Sequence, residues 1–397
     1  MTRYVIALSE LGIKNENLIY LIKEHLSDIA TMFKSTSSDI FNSHLDLVEY
    51  SELFSKRENV AKALRKADDI LIKNEEQKIK TTYITAPTYP TELARIDNPP
   101  AIIYYKGNEF TDISDKAIAC VGTRNPTRLS YNSVNYLIPQ WVKEGCVIVS
   151  GLACGVDKIS HQACVSAGGK TIAVLAHGLD TIYPKENEPL AERILETGGI
   201  LMSEYPVGTK ADRYRFVDRN RLIVGMSKVV IIYECNASGG TMHNVKYASR
   251  QHKPIFCPAL GYEINEVQTG TKQLLDEKTA IEIKNGKDIW KVLDKLGVKQ
   301  GKNQLSNLEI KRIYLNAVLF LMNNSAVLEN TIRELHLNIS IPENIKDVYN
   351  LLISCIENNM VNIDNLIQSL VKNNIASVSR VLAMQDEERN DLNSSKK

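Results

Sequence analysis

The apolar positions of the chain change their period twice. Over roughly the first 80 residues they recur at helical spacing. Leu18, Leu21, Ile22 and Leu26 form one stripe, and Val60, Leu64 and Ala67 form another; this is the pattern of helices that bury one face. Pro87, Pro90, Pro99 and Pro100 then punctuate an extended connection. In the middle of the chain short apolar runs take over, at Ala117–Val121, Cys146–Ser150, Thr171–Leu175, Ile200–Ser203, Val229–Tyr233, Pro254–Cys257 and Ala280–Ile283. Their starts lie about 25 to 30 residues apart. Runs this short, apolar on both faces and rich in Val and Ile, predict buried parallel strands. The stretches between them are long enough for crossover helices, which is the βαβ rhythm of a doubly wound sheet. The spacing therefore predicts an α/β domain over 81–298, with a mostly parallel sheet. A small helical N-terminal domain over 1–80 and a small helical C-terminal domain over 303–397 flank it.

Composition narrows the classes. The 397 residues carry 48 Lys+Arg against 47 Asp+Glu, a net charge of +1, which rules out a global polybasic coat but not a local basic face. With 44% hydrophobic and 24% charged residues the chain has the balance of a folded protein. Its longest apolar runs are about six residues, as at Ala317 to Met322. A bilayer span needs roughly twenty, so no membrane helix is expected. Met1 to Lys14 turns polar too early for a signal peptide. Seven cysteines without a Cys-x-x-Cys pair argue against a disulfide framework or a zinc ribbon. The expectation is a cytoplasmic protein with no metal and no cofactor. Charge is not evenly spread, since residues 115–260 hold 17 basic against 12 acidic side chains.

In an open α/β sheet ligands bind outside the carboxyl ends of the strands. The residues that follow each run there are Gly122-Thr123-Arg124-Asn125-Pro126, Ser150-Gly151-Leu152-Ala153-Cys154-Gly155-Val156-Asp157, Ala176-His177-Gly178-Leu179-Asp180, and Glu234 with Ser238-Gly239-Gly240-Thr241. Glycines let a ligand approach the backbone and helix N-termini favour anions, so this crest offers several phosphate-sized amide pockets. A Gly-x-Gly-x-x-Gly fingerprint and a Walker A sequence are both absent, which argues against redox and NTPase chemistry. Lys210, Arg213, Arg215, Arg219 and Arg221 crowd one stretch with Tyr205, Tyr214 and Phe216. Cations that track phosphates and aromatics that stack bases suit single-stranded nucleic acid; a solvated loop with internal salt bridges is the other reading. His161 and Cys164 match no standard metal spacing. His177, Glu234, Ser238 and Thr241 are candidate nucleotide-pocket residues, and no catalytic residue is assigned.

Taken in order, these motifs resemble those of the DNA-processing protein DprA (Smf) family. The resemblance rests on Val121-Gly122-Thr123-Arg124, the Val149–Asp157 run with His161, and Gly168-Gly169-Lys170-Thr171-Ile172-Ala173-Val174-Leu175. It continues through Gly178-Leu179-Asp180, Tyr183-Pro184-Lys185-Glu186-Asn187, Ser203-Glu204-Tyr205-Pro206, Arg219-Asn220-Arg221 and Ser238-Gly239-Gly240-Thr241. Upstream, Tyr89-Pro90-Thr91-Glu92-Leu93 and Asn98-Pro99-Pro100 fit as well. The resemblance spans roughly 83–285. It implies an extended Rossmann-like domain that dimerises, and a non-enzymatic protein that binds incoming single-stranded DNA, protects it and loads the recombinase RecA during natural transformation. Carried over by motif position, Arg124, Lys170, Lys185, Arg219 and Arg221 become the DNA-binding residues. Gly122, Gly151, Gly155, Gly239 and Gly240 become the glycines that admit the strand.

The chain also departs from the family. Cys154 stands where the family often has arginine, Thr123 where it usually has serine, and Val217 where proline is common. The N-terminal helices are similar to a diverged helix-hairpin-helix module. Val348–Leu352, Asn362–Ile367 and Val378–Leu382 resemble the first helices of a winged-helix domain. Two other functions share the strand-end architecture: a nucleotide sensor and a nucleoside monophosphate phosphoribohydrolase. The latter uses a Gly-Gly-x-Gly-Thr loop followed by glutamate. Here Thr241 is followed by Met242-His243-Asn244.

Overall fold

The computed structural model describes residues 1–34, 38–112, 116–261, 264–284 and 286–298. They fall within one unit, Met1–Lys299. The helical domain expected over 303–397, with its winged-helix resemblance, lies outside the described residues.

Six helices come first: α1 (Thr2–Glu10), α2 (Asn15–Glu24), α3 (Ile29–Met32), α4 (Ser38–Ser43), α5 (Val48–Ser55) and α6 (Arg57–Glu76). The apolar stripes of the sequence lie on α2, through Leu18, Leu21 and Ile22 with Leu26 just past its end, and on α6. Along α6, Val60, Ala63, Ala67 and Ile70 are buried at helical spacing, so one face of a twenty-residue helix packs inward. Arg3 on α1 reaches Asp68 on α6 through two bonds of 2.6 and 2.7 Å.

Among the described residues the sheet has nine strands: β1 (Lys80–Tyr83), β2 (Ile102–Gly107), β3 (Ala117–Val121), β4 (Val147–Ser150), β5 (Thr171–Val174), β6 (Ile200–Ser203), β7 (Val229–Ile232), β8 (Ile255–Pro258) and β9 (Ile281–Ile283). Their order is β1-β2-β6-β5-β4-β3-β7-β8-β9. β3 to β9 are parallel and coincide with the seven apolar runs. β1 and β2 are antiparallel additions, with β2 paired to β6. They flank the segment that the prolines mark as an extended connection. Lys-Thr-Thr-Tyr in β1 has little apolar content, and as an edge strand it needs little.

The crossover helices are α7 (Arg128–Lys143), α8 (Val156–Ser166), α9 (Glu188–Glu196), α10 (Arg213–Gly225), α11 (Met242–Arg250) and α12 (Thr269–Asp276); α13 (Ile289–Lys295) follows β9. Strand alternation divides the core. Ile118 and Cys120 point with Ile148, Val229 and Ile231 toward Leu137 and Trp141 of α7 and Val292 of α13. Ala117, Ala119 and Val121 face the other way, toward Leu222 of α10 and Val245 of α11, and this second cluster runs on into α1, α2 and α6. The strands fan out from β3, with β4, β5 and β6 on one side and β7, β8 and β9 on the other. The order reverses between β3 and β7, and such a switch point opens a crevice at the carboxyl ends of the strands.

Candidate nucleic-acid interface

Two loops meet at that switch point. The Thr123 amide donates to the Glu234 carbonyl at 2.7 Å, which joins the chain leaving β3 to the chain leaving β7. The Thr241 hydroxyl donates to the Gly122 carbonyl at 3.0 Å. Glu234 itself is buried, and its carboxylate accepts from the Thr127 amide, the Thr127 hydroxyl and the Gln268 amide group at 2.8, 2.6 and 2.7 Å. A carboxylate with three donors is a brace between the chain leaving β7, α7 and the segment before α12. Thr127 also caps α7 by accepting from the Leu129 amide. Neither Thr127 nor Gln268 was singled out from the sequence: their partner is more than thirty positions from Gln268 and more than a hundred from Thr127.

Above the switch point the crest is basic and aromatic. Arg124, exposed, lies over the Phe216 ring at 5.7 Å, within cation–π range. Tyr183 packs on the same ring, with centroids 5.6 Å apart, and is 55% exposed. Lys185 follows two residues later and is exposed. No ion pair holds Arg124 or Lys185 among the described residues. Asp212 caps α10 by accepting from the Tyr214 amide at 2.8 Å, and so places Tyr214, 82% exposed, beside Arg213 at the start of that helix. Arg215 stacks over the Tyr205 ring at 5.2 Å and donates to the Lys210 carbonyl. Cys154 faces Glu186 at 3.5 Å, and Lys158 lies 3.7 Å from the same carboxylate.

The two arginines of the Arg219-Asn220-Arg221 motif point elsewhere. Arg219 is 3% exposed, and its Nη1 donates to the Val174 carbonyl at 2.9 Å. Burial pushes its guanidinium down to about 10, against the pull of Asp157, and pushes the Asp157 carboxyl up. Arg221 is 5% exposed; it pairs with Glu204 and Asp218 and donates to the Asn98 carbonyl at 2.8 Å. The expectation that Arg219 and Arg221 hold the strand alongside Arg124 and Lys185 is thus corrected. α10 turns Arg219 and Arg221 toward the sheet and the segment around Asn98, because each has buried acceptors to satisfy. Lys170 is exposed but precedes β5, so it stands at the amino ends of the strands, on the edge opposite Arg124.

Two glycines have a local reason to be glycine. A Cβ on Gly151 would stand 1.4 Å from the Arg219 Nη1, so the guanidinium lies flat against the backbone there. Gly155 has φ +77, and a Cβ there would sit about 2.5 Å from the Arg124 carbonyl. Gly122 is crowded by Val156, whereas Gly240 faces open space. The Gly239 amide and the Ser238 hydroxyl turn back onto Asn236. His177 is buried and bonded at Nδ1 to the Gly178 carbonyl; burial lowers its pKa, which takes it off the exposed crest. His161 is likewise buried, beside Thr171, and burial pushes it to about 3.

The sequence model of the family described as DNA recombination-mediator protein A matches residues 80–294, a span that takes in all nine strands and the whole crest. DNA processing protein DprA of Bacillus subtilis is 37% identical over 212 residues, covering 52% of this chain and 71% of the relative. DNA processing protein DprA of Streptococcus pneumoniae is 32% identical over 222 residues, covering 56% and 77%. The X-ray structure of DNA processing protein A from Streptococcus pneumoniae matches with a TM-score of 0.58 at 26% identity, over 73% of this chain and 98% of that one. The strand-end motifs, the sheet and these matches agree: the chain belongs to the DNA recombination-mediator protein A (DprA/Smf) family.

Proposed function

We propose that the crest binds single-stranded DNA without turnover. The observation that carries this is the Arg124–Phe216–Tyr183 stack, exposed at Arg124 and Tyr183 and half-buried at Phe216, with the exposed Lys185 beside it. Unpaired cations hold phosphates whatever the sequence, and exposed rings stack on unpaired bases. Binding is therefore expected to be steep in salt, weakly sequence-dependent and poorer for duplex, whose bases are already stacked. Delivery of the strand to the recombinase RecA, a homodimeric state, a cytoplasmic location and a role in natural transformation are implied by family membership and are proposed with it. No helix among the described residues is long and apolar enough to cross a membrane. The hydrolase alternative is disfavoured by the loop itself, where Met242-His243-Asn244 and not a glutamate follows Thr241; Glu234 is engaged by three donors. The sensor alternative loses His177 to the interior.

Fluorescence anisotropy with labelled oligo-dT and its duplex, competed by mononucleotides, tests the proposal. Preference for the single strand, unaffected by mononucleotide, supports it. Tight mononucleotide binding without oligonucleotide binding would point to the sensor, and release of free base would point to the hydrolase.

A further inference from the structure

Arg124 and Lys185 leave different strands, and one short loop touches the supports of both. Residues 151–155 follow β4. At its start, Gly151 lies against the Arg219 guanidinium, which is itself anchored to the carbonyl that ends β5. One residue on, the Leu152 carbonyl accepts from the Asn187 amide group at 2.8 Å. Asn187 is buried and closes the turn Lys185–Asn187. At the far end, Gly155 is pressed against the Thr123–Arg124 backbone, and the Val156 amide donates to the Thr123 carbonyl at 3.1 Å. Leu152 is buried with φ +55, a conformation that a non-glycine residue holds only when its surroundings impose it.

From this we infer that the loop is a spacer: Asn187 and Arg219 are positioning residues that set the separation of Arg124 and Lys185. The inference rests on the single-stranded DNA reading above. Two weak phosphate contacts on one rigid frame reinforce each other only if the frame matches both at once. Loosening the loop should leave each cation able to hold a phosphate, but not both together.

The test uses the full chain and oligo-dT over a salt series. Arg124→Ala should lower the log–log salt slope by about 0.7, the loss of one single-strand phosphate contact. Asn187→Leu removes the amide donor at similar size, keeps both cations, and should lower the slope by the same amount, with affinity down roughly tenfold. The double variant should sit at that same slope and not at twice the loss, since either change alone already leaves one contact. A purely structural role for Asn187 would reduce the active fraction and leave the slope of the folded protein at the wild-type value. That result, or two losses that add, overturns the spacer. If Arg124→Ala leaves slope and affinity intact, the DNA reading itself fails, and the two failures are told apart. Asn187→Asp, which keeps the side chain's size, stands in if the leucine variant does not fold, and is read by the same slope.

Discussion

Arginines separated by fewer than a hundred residues meet at one end of this sheet and do opposite things. Arg124 stands in solvent over an aromatic ring, with no acid to hold it among the described residues. Arg219 and Arg221 lie beneath the surface, anchored to carbonyls, and Arg221 also to carboxylates. The charge is the same in both places; what differs is whether the fold has already used it. A guanidinium whose donors are committed inside cannot also neutralise a phosphate, and one left in water adds little to stability. Counting basic residues along a stretch therefore overstates its capacity to bind nucleic acid.

This contrast can be broken most sharply at Arg221. Arg221→Ala leaves Glu204, 13% exposed at its side chain, without its buried partner. Stability should fall by about 3–5 kcal/mol, seen as a shift of the urea unfolding midpoint at unchanged slope. Arg219→Ala should cost somewhat less, roughly 2–4 kcal/mol, from the orphaned Val174 carbonyl and the space left beside Gly151. If either variant unfolds like wild type and merely binds DNA less well, the interior assignment is wrong.

The buried layer should also show in pH. His161 is held neutral, with its pKa near 3 in the folded chain against about 6.5 when unfolded. It costs nothing above pH 6.5; below that the unfolded chain takes up a proton that the folded chain refuses, and stability falls toward pH 3 at up to about 1.4 kcal/mol per pH unit. Asp157 and Glu204, pushed up by burial, act with the opposite sign but are common to both proteins in a comparison. Unfolding midpoints at pH 7, 5.5 and 4.5 should therefore fall less steeply for His161→Gln than for wild type. Equal acid limbs would place His161 in contact with water.

The smallest effect is expected on the crest's aromatic edge. Tyr214→Ser should leave stability within about 0.5 kcal/mol, since the ring is 82% exposed, and should weaken oligo-dT binding by about 1 kcal/mol if a base stacks there. An unchanged affinity would confine stacking to Phe216 and Tyr183.

What the sequence discloses about this fold follows from burial. β3 to β8 are buried along their length, so short apolar runs mark them directly, and their spacing marks the doubly wound class; β9, Ile-Glu-Ile with Ile281 exposed, is marked only in part. β1 carries no such mark, being mostly polar; β2 does carry one, the buried run Ile102-Ile103-Tyr104-Tyr105, but the prolines between the two strands make the whole segment read as an extended connection. The crest was legible because glycines and strand ends fix it; the fate of each cation on it was not. Arg219 and Arg221 belong to a helix whose inward face carries charge, so neither periodicity nor residue type separates them from Arg213 and Arg215. The bracing of Glu234 by Thr127 and Gln268 joins residues that only the folded sheet brings together, and Lys170 changes sides only once the direction of β5 is known.

The central claim is that exposed cations bind the strand while buried ones hold the fold. It is tested most directly by the double variant Arg124→Ala, Lys185→Ala, in oligo-dT titrations from low to high salt alongside urea unfolding. Two lost phosphate contacts should lower the log–log slope by about 1.4, with the unfolding midpoint within error of wild type. A slope that does not move, or a midpoint that falls as it does for Arg221→Ala, would contradict the account.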